Sequence, residues 1–126
     1  MNVFDNLKAA ASLASLMKNK DKLKAAGERV KAKAQTIRAH GEAGGGAARA
    51  IVDGAMKVHA VELSPALCAG MAADDRTRAL AASLIADAVN DAMRQAQRLM
   101  QDAIQAEARE AGIDLKELPM VSELLS

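Results

Sequence analysis

A chain of 126 residues with one cysteine, two histidines and a single aromatic side chain, Phe4, offers little material for redox, metal or base-stacking chemistry. Its net charge is only +1, yet residues 1–40 hold nine Lys/Arg against three acids, and the rest hold eight against thirteen. Local balances of +6 and −5 direct the first segment toward a polyanion, or toward the other part of the same chain.

The length suits a single domain over residues 1–126. The start carries no basic leader, and the apolar run from Ala9 to Met17 is too short to span a bilayer. With the lone Cys68 unable to form an internal disulfide, the expectation is a cytoplasmic protein.

The first predicted element is a helix from about Asp5 to Thr36, interrupted only by the tolerated Gly27. Leu16, Leu23, Val30 and Ile37 recur every seven residues, with Leu13, Gly27 and Ala34 beside them, as in a narrow coiled-coil seam. Lys18, Lys22, Arg29 and Lys33 fall within roughly 60° of one another on the side away from the seam, a positive stripe roughly 22 Å long. Asp21 and Glu28 point elsewhere.

Gly41-Glu42-Ala43-Gly44-Gly45-Gly46 cannot continue a helix, so the helical pattern stops near His40. Strand-like runs follow at Ala47–Val52 and Met56–Leu63, and Asp53-Gly54 between them predicts a tight hairpin turn with positive φ. His59, Val61 and Leu63 share one face of the second strand, which Ser64-Pro65 closes. A second long helix is expected from about residue 75 to Ala111, capped by Asp74 or Asp75 and stopped by Gly112. Leu80, Leu84, Ala88, Ala92, Ala96, Leu99 and Ala103 mark its buried stripe, and Asp91–Arg94 and Arg98–Asp102 balance its charges. The tail, residues 112–126, is expected to be loosely attached, with Leu118, Val121, Leu124 and Leu125 available to dock. Helices of about 32 and 36 residues are roughly 48 and 54 Å long and overhang a small sheet, so their seams call for a second copy.

Sites for catalysis are not apparent. His40 and His59 have no ligand partners at metal spacing, so a structural or surface role is expected, and Cys68 reads as a buried, inert thiol. Adjacent Asp74 and Asp75 are explained by helix capping. Gly44-Gly45-Gly46 lacks the Gly-Lys-Ser/Thr of a phosphate loop and leads into a strand, which favours a plain connection. No catalytic residue, metal, cofactor or small-molecule substrate is expected. What remains is the lysine stripe: a solvated helix face, or a surface for duplex phosphate read without base selectivity.

Gly41–Gly46, the strand ending at Asp53-Gly54, Val61-Glu62-Leu63-Ser64-Pro65 and Ala88-Val89-Asn90-Asp91-Ala92 together resemble the YbaB/EbfC family of bacterial nucleoid-associated proteins. The last segment is similar to that family's alanine-asparagine-aspartate-alanine signature. The resemblance covers about residues 39–100. It implies an α+β fold of long helix, three-stranded antiparallel sheet and long helix, with the extra strand near Thr36 to Glu42. It also implies a tweezer-like homodimer without enzymatic activity, whose protruding helices bind double-stranded DNA in the nucleoid, and a role in nucleoid organisation or gene regulation. The first helix departs from the family pattern in being richer in lysine and poorer in glutamine, and the end lacks the usual Gly/Pro-rich tail. Two rival readings of the helices are an adaptor that recruits another protein through its seams and a membrane-surface helix, the latter disfavoured by the shortage of bulky anchors.

Overall fold

A computed structural model describes the backbone of residues 3–113 and the side chains of residues 19–113. Helix α1 spans Val3–Thr36, strands β1 Ala39–Ala43, β2 Ala48–Val52 and β3 Val58–Leu63 follow, and helices α2 Pro65–Ala73 and α3 Asp75–Glu110 complete the order. This is the expected α+β arrangement, with a short helix between sheet and final helix that periodicity did not single out. The Leu13 and Leu16 part of the seam and the docking residues of the tail lie outside the described side chains.

Two compact units emerge, one of residues Lys31–Asp102 and one that joins the stretch up to Val30 with the stretch from Ala103 onward. In the first, the three strands pair antiparallel in the order β1-β2-β3. Ala39 stands opposite Val52 and Ala43 opposite Ala48, so Ala39, Gly41, Ala48, Ala50 and Val52 share one face. That face meets Ala88, Ala92 and Ala96 of α3 in a core whose only fully buried large side chain is Val52. Small side chains on both surfaces let helix and sheet approach closely. The limit is reached at Gly41, where a Cβ would stand 2.2 Å from the Ala92 nitrogen and 2.4 Å from the Ala88 carbonyl oxygen. Gly41 is therefore less a helix breaker, as the sequence suggested, than the contact point of β1 with α3. The same segment forms β1 only as far as Ala43, and the Gly44–Gly46 turn, all at positive φ, carries the chain back into β2.

The β2–β3 connection is a hairpin, but not the tight Asp-Gly turn expected. Five residues separate Val52 from Val58, and the positive φ falls on Met56 (65°) instead of Gly54. Asp53 explains the change: its carboxylate accepts from the Ala55 and Lys57 backbone nitrogens at 2.9 and 3.0 Å and holds the loop open. Gly54 is needed for another reason. Its N–H donates to the Ala34 carbonyl at 2.8 Å, and a Cβ there would stand 2.8 Å from the Ala34 Cα.

Along α3 the buried line runs Ala81, Ala88, Ala92 and Ala96 in this unit, so Ala81 takes the place expected for Leu80. Leu80 and Leu99 are exposed, at 54% and 37%, because the alanine line leaves no depth for them. Ser64 caps α2, and the Asp74 carboxylate caps α3 by accepting from the Thr77 nitrogen at 2.7 Å. Cys68 on α2 is exposed, against the expectation of a buried thiol, since Leu67 takes the inward position.

In the second unit Ala26 of α1 and Ala103 and Ala108 of α3 are buried. The Arg29 Nε donates to the Glu107 Oε2 at 2.7 Å, with Glu107 nearly enclosed. Helix α3 ends as expected at Gly112, whose N–H and that of Ile113 return to the carbonyls of Arg109 and Ala108.

Adding one methyl group should have opposite effects at two glycines. Gly41→Ala must push α3 off the sheet and should cost about 3 kcal/mol or more. Gly27→Ala, with open space at its Cβ on the exposed side of α1, should stabilise by about 0.5–1 kcal/mol through helix propensity. Urea unfolding of both variants checks the pair.

Candidate nucleic-acid interface

The burial pattern fixes how α1 presents its charges. Ala26 and Ala34 are buried and Val30 and Ile37 half-buried, which defines the inward side; Leu23 at the edge of the described seam is 38% exposed. Taking that inward side as zero, Lys22, Arg29 and Lys33 lie at roughly 60–100° to one flank at 100° per residue. The stripe is thus on the side of the helix, not on its back as expected; the back carries Asp21 and Glu28 at roughly 160–180°. Lys22 and Lys33 are exposed, and neither is ion-paired among the described residues. The Lys18 side chain lies outside the described residues. Arg29 is engaged by Glu107, a partner 78 positions away that no local spacing rule reveals.

His59 and the carboxylates of Asp53, Asp74 and Asp91 occupy structural positions. Residue His59 is the extra residue where β3 slips against β2: Val58 stands opposite Val52 and Ala60 opposite Ile51. The slip brings the His59 Nε2 to 2.8 Å from the Asp53 Oδ2, so this histidine is not isolated from carboxylates. Asp53 is almost fully buried. Its carboxyl is held below the usual aspartate range by the hydrogen bond from His59 first, then by the Lys57 and Ala55 backbone nitrogens. Asp74 is held low in the same way by the Thr77 backbone and hydroxyl. Asp91, in the segment that carries the family resemblance, accepts from the Glu42 nitrogen at 3.1 Å and lies 3.6 Å from Arg94. It ties the edge strand β1 to α3. Arg98 turns to the Gln95 side chain, not to Asp102 as expected.

The outer face of the sheet holds an open hollow of about 520 Å³ lined by His40, Gly41, Glu42, Arg49, Ile51 and Glu62. Arg49 is 3.6 Å from Glu42, and neither is desolvated. Among the described residues no three His, Cys, Asp or Glu side chains are grouped to hold a metal ion. No helix among them is long and apolar enough to cross a membrane.

Fold and surface together define a small α+β protein that, among the described residues, exposes a lysine-bearing helix. Residues 10–111 match the YbaB/EbfC DNA-binding family, and the chain belongs to that family. No curated protein matches the chain.

The Asp53 turn yields a pH prediction with a definite sign. A carboxyl whose folded-state pKa is lowered stabilises fully above its unfolded value, near 3.8, and loses that contribution as pH falls through the folded value. Asp53→Asn should therefore melt below the parent at pH 7, and the gap should shrink once the pH drops below about 4. Thermal melts from pH 7 to 2.5 would reveal a wrong assignment as a gap that does not depend on pH.

Proposed function

We propose that this protein is a non-enzymatic, nucleoid-associated protein of the cytoplasm that binds double-stranded DNA through the phosphate backbone, with little sequence preference. Residues 1–126 act as one domain and work as a homodimer, with Lys18, Lys22, Arg29 and Lys33 of α1 facing DNA. The observation that carries the reading is the exposed, unpaired state of Lys22 and Lys33 on the flank of α1 in a member of a DNA-binding family. Lysines neutralise phosphate as point charges and do not read base edges, and the lone Phe4 leaves no stacking platform for single strands. The dimer is supported by apolar surface that one chain leaves in water: Leu80, Val61, Val58, Leu23 and Leu99 are all more than a third exposed. A part in nucleoid organisation or gene regulation follows from binding of this kind.

Four contacts from each of two protomers would neutralise at most about eight phosphates, so log affinity should fall against log salt with a slope of roughly −4.5 to −7. Lys22→Gln with Lys33→Gln keeps helix propensity and removes up to about four of those contacts, flattening the slope by up to about 3.6 equally on unrelated duplexes. An unchanged slope in the double variant would reduce the stripe to a solvated face. Arg29→Gln, by contrast, should also lower stability, by about 1 kcal/mol, because it strands the enclosed Glu107. Sedimentation equilibrium at low micromolar concentration should give twice the chain mass; a folded monomer there would overturn the dimer.

A further inference from the structure

Helix α1 carries a second set of cations that the stripe does not include. Lys20, Lys24 and Lys31 are all exposed, and none is ion-paired among the described residues. Measured from the same inward side, they lie at roughly 80–120° on the opposite flank from Lys22, Arg29 and Lys33. The two rows are thus close to half a turn apart. Arg38 follows the same line, but its guanidinium donates to the Gln35 and Ile37 carbonyls and finishes the helix instead.

Between the rows, on the back of the helix, stand Asp21 and Glu28, both exposed. A duplex centred on the back, straddling the helix to reach both rows, would bring its phosphates onto these two carboxylates. A duplex lying along either flank avoids them. At physiological salt the screening length is about 8 Å, shorter than the helix diameter of about 10–12 Å, so each row acts on what lies beside it.

We infer that Lys20, Lys24 and Lys31 form a second phosphate-binding row that takes a separate DNA duplex, so that α1 bridges two duplexes, one on each flank. This rests on the reading of the first row as a DNA-binding surface. The chemistry is the same on both sides: ammonium groups on a helix flank, complementary to a polyanion. What is new is that the acidic back of the helix divides one cationic helix into two independent tracks.

The test uses the full-length protein and two different 30-base-pair duplexes, one fixed on beads and one labelled in solution. The parent should retain the labelled duplex on the beads at about 0.15 M salt. Lys20→Gln/Lys24→Gln/Lys31→Gln should bind a single duplex in a gel shift within about three-fold of the parent, yet retain roughly ten-fold less labelled duplex. Circular dichroism confirms the fold, and Lys24→Gln/Lys31→Gln serves if the triple variant does not fold. Unchanged retention would overturn the second row, since the bridging would then come from the first rows of two protomers. A loss of single-duplex affinity as large as that of the Lys22/Lys33 variant would overturn it differently, because both rows would then grip one duplex. A parent that binds no duplex at all would instead remove the first reading, and this one with it.

Discussion

The closeness with which α3 lies on the sheet is the constraint from which the rest of the Lys31–Asp102 unit follows. Ala88, Ala92 and Ala96 face Ala39, Ala48, Ala50 and Gly41, so the surfaces meet almost backbone to backbone. Such an interface removes little apolar area per residue, and its stability comes from fit more than from bulk. It also decides where larger side chains go. Leu84, Ile85, Val89 and Met93 pack around the margin, while Leu80 is left in water. An apolar surface displaced outward in this way is what a second chain can cover, so the thin core and the proposed dimer have one origin.

Close backbone approach needs polar bookkeeping, and two carboxylates supply it. Asp91 accepts the Glu42 N–H of an edge strand that would otherwise present it to any passing strand. Asp53, almost without solvent, collects two backbone nitrogens and the His59 ring, and so holds Met56 in the left-handed region that a side chain ordinarily avoids. Both acids serve the backbone.

Local chemistry was legible in the sequence, and consequences of distant packing were not. The helix start at Asp74 or Asp75, the Gly112 stop and the hairpin itself rest on neighbours a few residues apart, and propensity finds them. The five-residue turn, the inward choice of Ala81 over Leu80 and the exposure of Cys68 all depend on how near another element comes, which periodicity does not encode. Gly41 shows the difference well. Its residue type signalled an interruption correctly, but only the position of Ala92 says what the missing side chain is for. In the candidate interface Lys22 and Lys33 were legible as residues sharing one side of α1, whereas the pairing of Arg29 with Glu107 was not.

The electrostatics of α1 follow from the same fixing of faces. A helix with many lysines and few acids has no orientation of its own toward a polyanion; burial supplies one. Once Ala26 and Ala34 turn inward, the angles of every other residue are set, and the two acids fall on the back. A helix with lysines on the back and acids on the flanks would offer one track to one duplex. Here Asp21 and Glu28 occupy the one position from which a single duplex could reach both sets of lysines, so the same pair that lowers the net charge also divides it. On the proposed reading, the number of DNA tracks is set by the side of α1 that is buried, and not by the number of lysines the helix carries.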